Sequence, residues 1–470
     1  MIHCHIKMIN RASFSRATIF LVFLLSFLSC RHDRVTTATQ PPHGTLPGTV
    51  NHRSNLPFDS GMVKIFYDSF PLLGSFRPDV EEVYRRHDFT EIWHDGQGLL
   101  ESAMTLFNRT RDLCSEGVPS QFPYQAEADR IFLNELENRL DPAGTDLMIT
   151  NLYLFYAEKV IRGLPDTTSK ALGWLLPRKT IAYTDLLDTL LTRPEAMADD
   201  DSLMIGQYYR MRDALQRYRE IEKKGLWPVA DTIRKLVVNM ERCRWIPPEY
   251  ARAKEYVVVN IPAFMLTYVR DGRIELRSPV IVGKKVTKTV IFSGMMSHIV
   301  FSPYWNVPQS IINKEIRPGI ARDPGYLEKH NMEWNNGQVR QRPGKNNSLG
   351  RVKFIFPNSN DIYLHDTPAK GLFEKDSRAF SHGCIRVGKP RDLAQALLQD
   401  DPNWTPAKID RAMNAGKETV AVLKEKIPVH IGYFTAWVDD QGILRIFNDI
   451  YERDDRLATL LYESGTPVSP

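Results

Sequence analysis

Cysteine is scarce in this sequence of 470 residues, which contains five cysteines and no CxxC pair. Cys4 and Cys30 lie in the N-terminal leader region, so three remain in the body of the chain: Cys114, Cys243 and Cys384. An odd number without regular spacing argues against a disulfide framework. We predict that Cys114 and Cys243, which lie in amphipathic stretches, are small buried apolar residues. Cys384 is then the candidate reactive thiol.

Long blocks of basic residues and long apolar segments are also missing. The net charge is +5 and the isoelectric point is about 8.8, but no block of Lys and Arg and no stripe of basic and aromatic residues concentrates this excess. We therefore predict no nucleic-acid partner. The apolar run 17–28 is shorter than the roughly 20 residues that a membrane-spanning helix needs.

The N-terminus has the features of an export signal. Arg11 and Arg16 precede the apolar run, which ends at the small residue Ser29. A basic flank, a short apolar stretch and a small residue, in this order, are typical of secretory leaders. We therefore predict a signal peptide over residues 1–29.

The residue after this leader predicts a lipid anchor. Cys30 follows Phe27-Leu28-Ser29, which is similar to a bacterial lipobox, although the usual Leu is missing at the position of Phe27. We predict that Cys30 is the lipidated first residue of the mature protein; simple signal cleavage is the alternative. Residues 30–57 are rich in Thr, Pro, Gly and Asn, which predicts a flexible tether. The expected location is the periplasm, with the protein anchored to a membrane.

The hydrophobic pattern changes near residue 250. Over 58–250 apolar residues recur at three- and four-residue spacing, which predicts a helical domain. Over 251–455 short β-branched and alternating runs predict a mainly-β domain, so the fold class is α+β. A polar segment, 308–347, interrupts the strands and predicts a lid or binding element, and 456–470 is a predicted tail. The predicted strands are 256–260, 264–269, 274–282, 298–302, 352–356, 361–365, 429–438 and 443–447, with helices at 391–399 and 407–415.

Two segments of the β half, YLHDT and SHGCIRV, carry groups suited to catalysis. If the first is a strand, alternation places Tyr363 and His365 on the face opposite to its apolar side chains. In the second segment the same alternation places His382, Cys384 and Arg386 together. Both segments are therefore expected to present polar side chains away from the core.

These residue types suggest a thiol nucleophile with a separate base. A thiol with a pKa of about 8.5 needs a base or a cation to form thiolate. We assign Cys384 as the nucleophile and His365 as its base, while His382 is expected to be structural or to contact substrate. The backbone amides of Gly383 and Cys384 could form an oxyanion hole. Arg386 could hold a substrate carboxylate through two hydrogen bonds.

The same side chains allow other interpretations. An isolated Cys or His is more often a satisfied structural residue than a catalytic one. His365, His382 and Cys384 could also ligate zinc, but no HExxH or CxxC spacing supports a metal site. We therefore expect neither a metal nor a cofactor.

The SHGCIRV run with an upstream His resembles the signature of L,D-transpeptidases of the YkuD type. The similarity extends from about residue 60 to about 450, is strongest after 239, and is typical of the larger, scaffolded Gram-negative branch. The segments that carry it are NMERCRWIP (239–247), YVVVNIPAF (256–264), PYWNVPQSI (303–311), LGRVKFIFPN (349–358), YLHDTP (363–368) and YFTAWVDDQG (433–442).

This resemblance implies a fold and a set of site residues. The fold is a β-sandwich-like catalytic domain joined to a helical scaffold, with 308–347 as a substrate-capping insertion. Cys384 would be acylated, His365 would be its base, and the envelope would be of the Gram-negative type. The pocket residues that the resemblance implies are Tyr363, Arg386 and Trp305.

The resemblance also implies substrates. Family enzymes cleave the bond between the third residue (diaminopimelate) and the fourth (D-Ala) of a stem tetrapeptide, then pass the acyl group to an amine of another stem, which gives a 3→3 cross-link. Peptidoglycan stem peptides and carbapenem-type inhibitors are the expected ligands. With water or a free D-amino acid as acceptor, the activity would be L,D-carboxypeptidase or exchange. A decayed site would leave a non-catalytic wall-binding lipoprotein.

One feature departs from the larger members of this family. They often carry a small peptidoglycan-binding helical domain between the scaffold and the catalytic half. Only about a dozen residues separate Trp227 from Asn239, so we expect this domain to be absent. A lipid anchor would then keep the enzyme near the wall.

Overall fold

The computed structural model of the protein describes residues 57–463 except 96, 134 and 194–201. The predicted signal peptide, Cys30 and nearly all of the predicted tether therefore lie outside the described residues. Within the described ranges, no helix combines the length and the apolar character needed to cross a membrane.

Helices build the first half of the described chain, as the three- and four-residue spacing predicts. They are α1 (Gly61–Ser69), α2 (Arg77–Arg86), α3 (Glu101–Arg111), α4 (Gln125–Leu133), α5 (Pro142–Tyr156), α6 (Asp166–Ala171), α7 (Tyr183–Thr192), α8 (Gly206–Lys223), α9 (Ala230–Arg244) and α10 (Glu249–Arg252), with 3-10 turns at Pro71–Phe76 and Glu135–Glu137, a π turn at Ala157–Arg162, and a short hairpin of β1 (His94–Asp95) and β2 (Gly98–Leu99). Helix α5 is central, because all of its residues after Pro142 are buried. Its start is capped by Asp141, whose carboxylate accepts the Gly144 N–H at 2.7 Å.

Strands dominate the second half. They are β3 (Glu255–Asn260), β4 (Met265–Arg270), β5 (Arg273–Gly283), β6 (Phe292–Phe301), β7 (Trp305–Asn306), β8 (Met332–Asn335), β9 (Gln338–Gln341), β10 (Val352–Ile355), β11 (Leu364–His365), β12 (Ala379–Ser381), β13 (Ile385–Val387), β14 (Thr419–Gly432), β15 (Ala436–Val438) and β16 (Leu444–Ile446). The helices of this half are α11 (Gln309–Ile311), α12 (Arg317–Arg322), α13 (Tyr326–Lys329), α14 (Pro390–Leu397), α15 (Pro406–Asn414) and α16 (Asp454–Glu463), with a π turn at Ile312–Ile316 and a 3-10 turn at Lys370–Glu374.

A single mixed sheet forms the body of this half, in the order β12-β5-β13-β11-β10-β6-β14-β3-β4. Strand β5 also pairs with β4, so the sheet closes on itself. This closure is possible because β5 is long: Arg273–Pro279 pair with β4, whereas Val280 and Ile281 pair with β13. The main apolar core is continuous and includes buried residues of this sheet and of the helical half.

The insertion 308–347 forms a small unit of its own. Strand β9 pairs with both β7 and β8, and the short helices α11, α12 and α13 pack beside this three-stranded sheet. Its core is separate from the main one and consists of Val307, Ile312, Ile316, Met332 and Val339. The predicted polar segment therefore has enough apolar residues to fold as a compact element.

The helical and β halves are joined by buried polar contacts of α9. The Asn239 amide bonds to both the backbone N–H and the hydroxyl of Thr435, at 2.9 and 2.8 Å. Arg242 bonds to the Asp454 carboxylate at 2.7 Å, and both side chains are buried. Breaking one partner of a buried ion pair is costly, so these contacts hold the β half in register with the scaffold.

The structure differs from the sequence-based expectations at the C-terminus, in the predicted strand 429–438 and at Cys114. Residues 456–463 of the predicted tail lie in α16, because Leu457, Ala458 and Leu461 form an apolar stripe that packs on the core. The predicted strand 429–438 is two strands, since β14 ends at residue 432 and β15 pairs instead with β16. Cys114 is exposed, because it lies in the turn after α3, whereas Cys243 is buried as predicted.

Candidate active site

Two neighbouring strands bring the YLHDT and SHGCIRV segments together. Strands β11 and β13 are parallel, and His365 pairs with Arg386. Tyr363, two residues before His365, projects to the same face and lies beside Cys384. The alternate side chains, Leu364 and Ile385, are completely buried in the core. The side chains that share the face away from that core are Cys384, Tyr363, His365 and Arg386.

His365 is held as a neutral imidazole. Its side chain is only 5% exposed, and its Nδ1 donates to the carbonyl oxygen of Asp366 at 2.5 Å. Because that carbonyl can only accept, Nδ1 carries the proton and Nε2 is the basic nitrogen. Burial lowers the pKa of His365 to about 4, and the positive charge of Arg386 acts in the same direction. The imidazole is therefore uncharged at neutral pH.

Cys384 is half-buried and rests as a thiol. Its Sγ donates to the carbonyl oxygen of Asp361 at 3.7 Å, and it contacts the backbone N–H and the hydroxyl of Tyr363. Burial raises the pKa of the thiol, and the Tyr363 contacts only partly oppose this shift. No hydrogen bond joins Cys384 to His365, although both residues are described. Catalytic hydrogen bonds often shorten only when substrate is bound.

Tyr363 and Trp305 form an aromatic wall beside the thiol. The Tyr363 hydroxyl is in hydrogen-bond contact with both Trp305 and Cys384. Its ring meets the His365 ring edge to face, with 5.7 Å between the centroids. Burial raises the pKa of Tyr363 well above its usual range, so its hydroxyl stays protonated. Trp305 lies on β7, and the wall therefore connects the capping insertion to the thiol.

Arg386 supplies an uncompensated positive charge. Its Nε is buried without a hydrogen-bond partner, and no carboxylate of the described residues lies within 4 Å of its guanidinium. Burial lowers the pKa of Arg386, and the neighbouring Cys384 opposes this. A partly buried cation without a counter-ion is favourable for binding a substrate carboxylate.

The SHGC bend is held by hydroxyl groups. Gly383 has φ +125°, a conformation that other residues rarely adopt. Its N–H donates to Ser381 Oγ at 3.1 Å, Ser381 Oγ donates to the Cys384 carbonyl at 2.6 Å, and Thr289 Oγ1 donates to the Gly383 carbonyl at 2.8 Å. The Gly383 N–H is therefore engaged, contrary to the predicted oxyanion role. The Cys384 N–H has no partner among the described residues, so it stays a predicted oxyanion donor.

Alternation predicted that His382 and Cys384 lie on the same strand, and this prediction is wrong. Residues 382–384 form a bend between β12 and β13, because Gly383 turns the chain. The His382 side chain is exposed, and its Nε2 lies 3.6 Å from Oε1 of Glu315 in the capping insertion. His382 therefore faces the insertion rather than His365.

Sequence patterns missed three residues that shape the site. Asp361 and Asp366 act through backbone carbonyls, on the thiol and on His365 respectively. Both lie within four residues of His365, so the sequence indicated that they are near the site, but not that their backbone carbonyls accept these hydrogen bonds. Thr289 is fully buried and fixes Gly383 from a distant part of the chain, and no local signal identifies it. Among the described residues, no group of three or more His, Cys, Asp or Glu side chains is arranged to hold a metal ion.

Comparison with known proteins agrees with this geometry. Residues 254–416 match the family profile of the L,D-transpeptidase catalytic domain (YkuD), and 78–215 match that of a scaffold domain. The "Putative L,D-transpeptidase" of Haemophilus influenzae is 35% identical over 411 residues, which cover 81% of this chain and 79% of the relative. The chain belongs to the L,D-transpeptidase family. The predicted combination of a helical scaffold with a mainly-β catalytic half is thereby confirmed.

Solved L,D-transpeptidases are more distant. The enzyme from Mycobacterium smegmatis is 13% identical, with a TM-score of 0.22, over 38% of this chain and 58% of that one. An L,D-transpeptidase solved in complex with imipenem is also 13% identical, with a TM-score of 0.22, over 38% of this chain and 59% of that one. The chain thus spans less than two thirds of the length of these solved relatives.

Proposed function

We propose that this L,D-transpeptidase forms 3→3 cross-links in peptidoglycan through an acyl-enzyme on Cys384, with a stem tetrapeptide as donor. The observation that supports this most directly is the shared face of β11 and β13. It holds a thiol, a neutral imidazole with a fixed tautomer, and an uncompensated guanidinium. A nucleophile, a base and a carboxylate-binding cation are the groups that acyl transfer from a peptide requires.

In the proposed acylation, Sγ of Cys384 attacks the carbonyl carbon of diaminopimelate while its proton passes to Nε2 of His365. Because the pKa of the thiol is raised and that of His365 is lowered to about 4, proton transfer before the attack is unfavourable. The proton therefore moves as the C–S bond forms. The C–N bond to D-Ala then breaks, and the leaving amine takes the proton from His365. The Cys384 N–H faces the developing oxyanion.

The depressed pKa of His365 predicts an unusual pH dependence. A base works in its unprotonated form, which for His365 predominates above its pKa of about 4. We expect single-turnover acylation by tetrapeptide to be nearly constant between about pH 5 and 7 and to fall as the pH drops through about 4. Thermal melts across the same range would control for acid unfolding. A midpoint near the ordinary histidine pKa of about 6.5 would contradict the lowered pKa of His365.

Mass spectrometry of the protein with disaccharide-tetrapeptide tests the proposed function directly. The expected result is a tripeptide acyl adduct on Cys384, followed by a dimer joined through two diaminopimelate residues. A free tripeptide as main product would indicate L,D-carboxypeptidase activity. A stem carrying an added D-amino acid would indicate exchange. No adduct at all would favour the non-catalytic wall-binding alternative.

We also propose that the protein is an exported lipoprotein, anchored through Cys30 on the periplasmic side of a Gram-negative-type envelope. The leader and the lipobox-like Phe27-Leu28-Ser29 support this. We expect full-length protein to incorporate an alkyne-labelled fatty acid and to fractionate with membranes, and Cys30→Ala to do neither. Cys4→Ala, a change within the leader, is the matched control. Equal labelling of Cys30→Ala would show that Cys30 is not the acylated residue.

A further inference from the structure

Three neighbouring strands align two cations on either side of the base. His365 on β11 pairs with Arg386 on β13 and, on its other side, with Lys353 on β10. Directly paired residues project to the same face, so Arg386, His365 and Lys353 form a row across the sheet. Adjacent strands are about 4.8 Å apart, so the two cations flank the imidazole at the ends of a row about 10 Å long.

Lys353 is only lightly bound within the protein. It is half-buried, and its Nζ makes one long contact, 3.5 Å, to the carbonyl oxygen of Tyr304, the residue before Trp305. No carboxylate of the described residues lies within 4 Å of Nζ; Glu418, which acts on it electrostatically, instead accepts the Tyr304 N–H at 2.9 Å. An ammonium has three donors, so Lys353 can still bind an anion. The next residue in the row, Val300, is apolar and buried.

The position of this ammonium relative to His365 indicates which anion it binds. In deacylation the acceptor amine must lie between the acyl carbon bonded to Sγ of Cys384 and Nε2 of His365, to attack that carbon and give its proton to that nitrogen. The rest of the acceptor then continues past His365, on the side away from Cys384. Lys353 is the polar residue at that place in the row, whereas Arg386 lies on the strand of the thiol.

We propose that Lys353 binds the carboxylate next to the amine of the acyl acceptor, and so selects α-amino-carboxylate acceptors over water and simple amines. This inference rests on the proposed function. Both acceptors in question, the far end of a diaminopimelate side chain and a free D-amino acid, carry a carboxylate on the carbon that bears the amine. In the step, the amine forms a C–N bond to the acyl carbon and its proton passes to His365. The C–S bond breaks and Sγ recovers that proton.

The test measures how the acyl group of one acyl-enzyme is distributed between an amine acceptor and water. Protein acylated by disaccharide-tetrapeptide is mixed with D-methionine or with D-methioninamide, which lacks the carboxylate, and the ratio of aminolysis to hydrolysis is measured by mass spectrometry. Because the ratio is taken after acylation, changes in acylation rate do not enter it. The amine of D-methioninamide is less basic than that of D-methionine, and this difference affects every variant equally. The preference for D-methionine over D-methioninamide is therefore expressed, for each variant, relative to that of the wild type.

We expect Lys353→Met and Lys353→Gln to lose about tenfold of the wild-type preference for D-methionine, the effect of one charge-assisted hydrogen bond, and Lys353→Arg to retain most of it. Lys424→Met is the matched control. Lys424 lies on β14, and its Nζ also makes a single 3.5 Å contact to a backbone carbonyl, that of Asp400. An unchanged preference in both Lys353→Met and Lys353→Gln would overturn this inference but not the proposed function. If the wild type formed no acyl-enzyme, the proposed function would fail, and the inference with it.

Discussion

Cys384→Ala is expected to abolish turnover and to eliminate the adduct with a carbapenem. A β-lactam is an acyl donor whose ring opens on the nucleophile, and the family resemblance implies that carbapenems acylate this site better than penicillins. Removal of a nucleophile typically costs at least about 10⁴-fold in rate. Intact-mass measurement should show one carbapenem adduct on the wild type and none on the variant. Cys384→Ser should be almost as inactive, because a base with a pKa of about 4 cannot activate a hydroxyl.

Cys114 provides the control for this experiment. It is an exposed thiol, so general thiol reagents should label it as well and cannot identify the nucleophile. Cys114→Ala should keep both the carbapenem adduct and the activity. Cys384 contributes little packing, since it is half-buried at a bend, and Cys384→Ala should therefore melt near the wild-type temperature. A carbapenem adduct of equal mass on Cys384→Ala would place the nucleophile elsewhere.

Local sequence pattern predicted the strands of the first β meander well. Alternating and β-branched runs predicted 256–260, 264–269 and 274–282, and β3, β4 and β5 begin and end within one residue of these limits. The hairpin at Asp271-Gly272 also forms, with φ +47° and +72° at the two residues, as expected for a tight turn of this type. Here the local signals and the tertiary structure agree.

Strand β14 shows where the local signal misleads. The prediction began this strand at residue 429, but it begins at Thr419. Lys424, Lys426 and Pro428 are poor strand residues, and Pro cannot donate to a ladder. The structure accommodates Lys424 and Lys426 at an irregularity in register between Val422 and Ile427, opposite β6, whereas Pro428 pairs with Met295. Pairing with a long neighbouring strand therefore outweighs local propensity.

The candidate site was predictable in composition but not in environment. Alternation grouped Tyr363 with His365 in one segment, and His382, Cys384 and Arg386 in the other. The parallel pairing of β11 with β13 brings these two groups together, except for the exposed His382. The burial of His365 was not predicted, because it depends on residues that other strands bring over it. The strand expected over 361–365 is reduced to β11, since Asp361, directly after the turn at 359–360, has φ +52°.

The two histidines of the site should respond differently to replacement by alanine. His365→Ala should lower the rate of acylation by at least the roughly 10²–10⁴-fold that a lost general base costs, because His365 is buried with Nε2 as its basic nitrogen. His382→Ala should do less, since His382 is exposed and faces Glu315 of the capping insertion. Single-turnover acylation separates this chemical effect from substrate binding, which His382→Ala is expected to change more. Thermal melts of both variants control for folding. If folded His382→Ala lost more acylation rate than folded His365→Ala, the base would be His382, and the tautomer that Asp366 imposes on His365 would have a structural purpose only.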